Sequence, residues 1–139
     1  MRILAIDYGD AHTGVAVSDP TGLLAGFTTV IDARNPETVA ERIAALAAEH
    51  GAEELVLGYP RNMDGSAGPR AEKSEHMADL LRAVTGLPVV LWDERRTTVD
   101  AHNILLRNGK NARKRKKTVD AVAAALILEG YLTLKRTRS

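Results

Sequence analysis

Four acids at three places in the chain have the types and spacing to do chemistry. Asp7 closes the apolar run Ile3-Leu4-Ala5-Ile6, Asp93 and Glu94 close the run Val89-Val90-Leu91-Trp92, and Asp120 follows the basic run Arg113 to Lys117. An ionised carboxylate at the edge of a core is costly to desolvate unless a cation or hydrogen-bond donors meet it. Acids at element ends, with no cysteine and no paired histidines, suit hard, oxygen-preferring cations such as Mg²⁺ or Mn²⁺. Two such ions can activate an attacking water and stabilise the leaving oxygen in phosphodiester hydrolysis. Crowded carboxylates repel one another and favour protonation until a metal neutralises them. Each acid also has a plainer reading. Asp7 can cap its own turn through Gly9, and Asp120 can be an acid in the first turn of a helix, worth about 0.3–1 kcal/mol against the dipole.

The elements that would have to position these acids are legible from the hydrophobic pattern. Ile3 to Ile6 reads as a strand buried on both faces. Tyr8-Gly9-Asp10 carries turn chemistry, and Thr13 to Val17 reads as a second strand pairing back as a hairpin. Phe27 to Ile31 is a third strand after the turn signal Pro20-Thr21-Gly22. Asn35-Pro36 opens a helix as cap and first residue, with Val39, Ile43, Leu46 and Ala47 at helical spacing up to Gly51. Glu54 to Gly58 is a fourth strand, reached by a parallel crossover. A polar loop follows, then a second helix with Met77, Leu80, Leu81 and Val84 on one face, ending at Gly86-Leu87-Pro88. Val89 to Trp92 is the fifth strand. Thr97 or Thr98 can cap a short third helix, and Thr118 a last one after the basic run. The order βββαβαβαα fits an α/β fold: a mixed five-stranded sheet with helices on both faces, forming one domain over residues 1–139. In such sheets ligands gather beyond the carboxyl ends of the parallel strands, so Asp7 and the Asp93-Glu94 pair converge if their strands run the same way.

Composition narrows the partner. The net charge of +1 hides a division: from Arg107 onward ten Lys/Arg face two acids, net +8, whereas residues 1–106 carry net −7. A basic end on a near-neutral chain is the footprint of a polyanion-binding surface, the alternative being a solvated tail. Lys110, Arg113, Lys114, Arg115, Lys116 and Lys117 beside Asp120 therefore read as a clamp for nucleic-acid phosphates. In the loop, Arg61 and Arg70 with glycine amides nearby can hold a phosphate; as structure alone, Asn62 to Gly65 is a turn and Pro69 opens the next helix. Tyr8 can stack on a base or pack beside the site, while Trp92 reads as core and His50 and His76 as surface. The absence of cysteine excludes disulfides and thiolate-ligated metals. With no signal-peptide pattern and no apolar run near the ~18 residues of a membrane span, a cytoplasmic protein is expected.

Four stretches in order carry a resemblance: IDYGDAHTGVAVSD (6–19), NMDGSAGPRA (62–71), DERRTT (93–98) and DAVAAALIL (120–128). Nearly end to end, the chain resembles the YqgF family of ribonuclease H-like proteins, described both as nucleases of the 16S ribosomal RNA precursor and as Holliday junction resolvases. The resemblance implies a ribonuclease H-like fold, divalent-metal nuclease chemistry with two ions completed by substrate phosphate, and a catalytic trio on Asp7, Glu94 and Asp120. Asp93 is the alternative metal ligand, disfavoured because neighbouring strand residues point to opposite faces. Arg95 joins the nucleic-acid-binding basic residues, and Tyr8 and His12 are candidate substrate contacts. The chain departs from the family where His12 replaces a usual Arg and Arg96 a common Leu; a histidine keeps a basic function that depends on pH.

The implied substrates are the precursor RNA, cut at the 5′ end of the 16S sequence, or branched DNA, with ribosomal particles as further partners and either a monomer or a homodimer as the working state. Two rivals differ in class. A non-catalytic nucleic-acid-binding assembly factor would be expected to have lost its acids. An actin-like ATP-binding protein, suggested by Asp7-x-Gly9 and Gly14, needs two such domains to enclose its nucleotide.

Overall fold

A computed structural model describes residues 2–21, 25–60, 68–93 and 112–138, with the side chains of the last helix described over 121–135. In chain order the elements are β1 (Ile3–Asp7), β2 (His12–Ser18), β3 (Ala25–Asp32), α1 (Pro36–His50), β4 (Glu54–Tyr59), α2 (Pro69–Thr85), β5 (Val89–Asp93) and α3 (Ala112–Arg138). The five strands form one sheet in the order β3-β2-β1-β4-β5. The β1–β2 and β2–β3 pairs are antiparallel, and β1–β4 and β4–β5 are parallel. The mixed sheet read from the sequence is therefore present, with β1 at its centre. The short helix expected after Thr97 falls outside the described residues.

Strand alternation divides β1 between two cores. Leu4 and Ile6 join Val15, Leu55 and Leu57 under α1 and α2, packed by Val39, Ile43, Met77 and Leu81. Ile3 and Ala5 face the other way, joining Ala16, Val56 and Trp92 under Ala124, Ile127, Leu128 and Tyr131 of α3. Each fully buried Leu, Ile or Val contributes about 1.5–3 kcal/mol, so β1, with Ile3 to Ile6 at most 2% exposed, is firmly held from both faces.

The helix ends follow their local chemistry. Asn35 Oδ1 accepts hydrogen bonds from the backbone N–H of Glu37 (2.9 Å) and Thr38 (3.1 Å), and Pro36 occupies the first turn of α1. Gly51 ends α1 and Gly86 ends α2, both at φ 68°, the left-handed conformation that glycine adopts at least cost. Val84 departs from the expected α2 stripe: it is 48% exposed, and the buried face is formed instead by Ala71, Ser74, Met77, Ala78 and Leu81.

The last helix also departs from expectation. It starts at Ala112, so the run Arg113 to Lys117 forms its opening turns and Thr118 is not its cap. Lys and Arg are good helix formers, and between Ala112 and Thr118 there is no Gly or Pro to break the helix. Near its other end α3 is tied down by Glu54, which is 8% exposed: the Tyr131 hydroxyl donates to its Oε1, and Lys135 Nζ lies 2.8 Å from its Oε2. Among the described residues no helix is long and apolar enough to cross a membrane.

Candidate active site

Asp7 is the last residue of β1, and its side chain is half-buried. Its antiparallel partner is Gly14, which pairs on its other side with Val30. On the parallel side the β1–β4 ladder runs to Ile6 and Leu57, and the next step along brings Gly58 beside Asp7, with Trp92 beyond it. Both strand neighbours of Asp7 on its own face are thus glycines. The strand partners on either side of the carboxylate therefore carry no side chain of their own.

That face is the one covered by α3, because Asp7 follows Ile3 and Ala5 in alternation and Trp92 packs beneath the helix. Towards its C-terminal end α3 meets both Glu54, which pairs with Ile3 at the start of β1, and Trp92, through Tyr131. Position 120 is about three turns earlier on the helix. It lies four, seven and eleven residues before the buried Ala124, Ile127 and Tyr131, on the same stripe of the helix. Because α3 begins eight residues earlier, Asp120 is in its third turn rather than its first, beyond the reach of the N-terminal dipole. The basic run occupies the two turns before it.

Asp93 goes the other way. It pairs with Tyr59, whose hydroxyl donates to Glu75 of α2 at 2.8 Å, so it sits on the α1–α2 face, opposite Asp7. Glu94, Arg61, Arg95 and Lys110 lie outside the described residues, and Arg113, Lys114, Arg115, Lys116, Lys117 and Asp120 are described by their backbone alone. Among the described residues no three His, Cys, Asp or Glu converge on a metal position. What is described fits a hard cation in one respect: an oxygen donor at the end of the central strand, with glycine as its partner on both adjoining strands.

Two further expected residues stand at the same end of the sheet. His12 opens β2 two positions before Gly14, on Asp7's face, and its Nδ1 lies 2.6 Å from Asp32 Oδ1. An ionised carboxylate only accepts, so Nδ1 carries the hydrogen and Nε2 is the other tautomeric nitrogen. Tyr8 lies on the opposite side of the strand end, packed against the α1–α2 core. Burial, and then the nearby Asp10 carboxylate, raise its hydroxyl above the usual tyrosine range, with Lys73 opposing. Lys73 Nζ is 3.1 Å from Asp10 Oδ1, and that hydrogen bond holds the Asp10 carboxyl below its ordinary value. Arg70 is exposed in the first turn of α2, beside Lys73 and Gly9. Sequence reasoning missed the glycine pair around Asp7 and the part played by Lys73. The first could have been found by counting the hairpin register from Asp7 to Gly14; the second depends on α2 meeting the β1–β2 turn, which no local pattern announces.

A sheet in this order, with an acid ending its central strand and a long helix covering that strand's face, is a ribonuclease H-like fold. Solved structures with the same fold are T. thermophilus RuvC in complex with Holliday junction substrate (TM-score 0.64, 16% identity, covering 97% of this chain and 96% of that one) and the fowlpox virus Holliday junction resolvase (TM-score 0.59, 14% identity, covering 100% of both chains). The family RuvX, described as Holliday junction resolvase, matches residues 1–134, and this chain belongs to it. One relative, from Halothermothrix orenii and named "Putative pre-16S rRNA nuclease", is 46% identical over 132 residues, 95% of this chain and 94% of the relative.

Proposed function

We propose that this protein is a divalent-metal-dependent nuclease that hydrolyses phosphodiester bonds in the precursor of 16S ribosomal RNA, at its 5′ end, and acts in the cytoplasm as one domain over residues 1–139. One observation carries the reading. The central strand ends in Asp7 between two glycines, with position 120 on the stripe of the helix that covers that face and five consecutive basic residues on the preceding turns. An acid site beside a cationic track serves phosphodiester chemistry and has no use in packing. Family membership supports the reaction class, and the relative's name supports the choice of RNA as substrate.

In this reading Asp7, Glu94 and Asp120 hold Mg²⁺ or Mn²⁺. Glu94 is preferred to Asp93 because Asp93 lies on the other face of the sheet. When bound, the ions supply an activated water and charge stabilisation of the leaving oxygen. The protein's own groups do the rest. The basic run of α3, with Arg61, Arg70, Arg95 and Lys110, holds the phosphate backbone. His12, oriented by Asp32, presents its second ring nitrogen to a phosphate oxygen near Asp7. The rigid β1 fixes Asp7 so that little reorganisation accompanies the reaction.

The family's description and the resolvase structures favour a second reading, cleavage of a four-way DNA junction; paired, symmetric cuts would then call for a homodimer. The deciding experiment compares Mg²⁺- and Mn²⁺-dependent cleavage of a 16S precursor fragment and of a four-way junction by the wild type and by Asp7→Asn. Cutting of the RNA alone, abolished by the substitution, is expected. Binding of both without cutting of either would make the protein a non-catalytic assembly factor and overturn the proposal.

A further inference from the structure

On the side of the strand end facing away from Asp7 are two adjoining cavities, and both are lined by Tyr8, Asp10 and Lys73. The smaller, about 110 Å³, is closed by Gly9, Pro60 and Arg70. The larger, about 470 Å³, lies between the first turns of α1 and α2. The small one presents an Arg and a Lys beside the turn backbone at Gly9, a setting for one phosphate. The large one is walled by four rings, Tyr8, Pro36, Pro69 and His76, with Arg34 at its side. Flat apolar walls with a few charged groups are what a planar base requires, and 470 Å³ lies within the ~300–1,000 Å³ range of small-ligand pockets.

The acids in the cavity do not cancel this character. Asp10 is engaged by Lys73 in an exposed pair, and such pairs hold weakly enough for a phosphate to displace the carboxylate. Glu72 is the one other acid on the larger cavity's wall. The N-terminus of α2 also opens here: its cap is Gly68, with no side chain to occupy the first-turn N–H groups, and Pro69 and Arg70 follow it.

The geometry points to a subsite for one unstacked nucleotide of the substrate strand, its phosphate at Arg70 and Lys73 and its base between Tyr8, Pro36, Pro69 and His76. Tyr8 is the residue after Asp7, so a strand with a phosphate at Asp7 crosses the sheet's end and drops a flanking nucleotide into this cavity. The identification of the ligand as a nucleic-acid strand rests on the nuclease reading. It adds that the protein needs single-stranded character next to the cut, since a base must leave its stack to enter.

The test is binding by the intact protein in EDTA, where no cleavage occurs. A fluorescein-labelled RNA hexamer is titrated by anisotropy at several salt concentrations. Lys73→Ala is expected to lower the slope of log K against log[salt] by about 0.7, the value for one phosphate engaged on a single strand. Tyr8→Ala should weaken binding about fivefold or more, as removal of a stacking platform does, and Tyr8→Phe should restore it. Arg42→Ala, an exposed cation elsewhere on α1, is the control and should stay within twofold. Unchanged affinity and slope in Lys73→Ala and Tyr8→Ala, with melting temperatures matching the wild type, overturn the subsite. So does adenosine monophosphate binding as tightly as the hexamer, which makes the cavity a free-nucleotide site. Failure of the nuclease reading looks different: no cleavage with metal, whatever the hexamer does.

Discussion

Gly9 is the residue whose replacement should separate the site from the fold. A Cβ placed there would lie 2.4 Å from the backbone carbonyl oxygen of His12, an atom with no freedom to retreat while β2 stays paired. Ordinary contact needs roughly 1 Å more, and overpacking of that kind costs about 1–3 kcal/mol. At the ~3–4 °C per kcal/mol expected for a chain of this length, Gly9→Ala should melt about 3–12 °C below the wild type. The strain falls on the turn that leaves Asp7, so Asp7 and the start of β2 must move apart, and displacement of a catalytic group by 1 Å can cost about 10²-fold. Gly51→Ala is the counterpart. Its Cβ meets nothing within 4 Å, but the residue sits at φ 68°. The cost there is conformational, about 1–2 kcal/mol, and it lies at the far end of α1. The pair is measured by circular-dichroism melting and by cleavage of a 16S precursor fragment with Mn²⁺. Both variants should lose stability, and Gly9→Ala alone should lose activity beyond its unfolded fraction. Full activity and a wild-type melt in Gly9→Ala would refute the claim that the turn holds Asp7.

Asp7→Asn, Glu94→Gln and Asp120→Asn should each abolish cleavage while leaving binding in EDTA within a few-fold, by gel shift; full activity in any one removes that residue from the trio. Chelation of the wild type should do the same reversibly, with activity restored by Mg²⁺ or Mn²⁺. Replacing Lys114, Arg115, Lys116 and Lys117 by Gln should weaken binding and flatten its salt slope by about 0.7–0.9 for each phosphate no longer neutralised; an unchanged slope would reduce the run to a solvated helix end. Asn35→Ala removes the acceptor of two N–H groups and should lower stability by about 1 kcal/mol without touching cleavage. Glu54→Ala strips the acceptor from the Tyr131 hydroxyl and the partner from Lys135. It should cost about 2–3 kcal/mol by denaturant titration, and much of that should vanish in a Tyr131→Phe background.

Most of the fold could be read from the chain because β1, β4 and α1 advertise themselves locally. Ile3 to Ile6 and Leu55 to Leu57 are unbroken apolar runs, and Asn35-Pro36 with Gly51 brackets α1 by caps that act within a few residues. The same locality explains the misreading of α3. Thr118 is a good cap in isolation, but the preceding Lys/Arg residues propagate a helix equally well, and only tertiary packing from Ala124 onward fixes where the helix lies. Val84 fits the apolar period of α2 yet is left exposed, which the periodicity does not record. At the site, Asp7 was visible as an acid ending an apolar strand. The glycines beside it come from two different strands, 7 and 51 residues away, and only the register brings them together.

The helix that covers Asp7's face has a consequence for biosynthesis. Ile3, Ala5, Ala16, Val56 and Trp92 are all made before α3, the described helix that covers them. A nascent chain through β5 can assemble the α1–α2 side of the sheet but carries an uncovered apolar face and lacks both Asp120 and the basic track. Synthesis is vectorial, and domains generally fold as units. The step that covers this face is thus the same step that brings in Asp120 and the basic run. On the proposed reading, a chain still being translated would be in effect a zymogen waiting for its own α3.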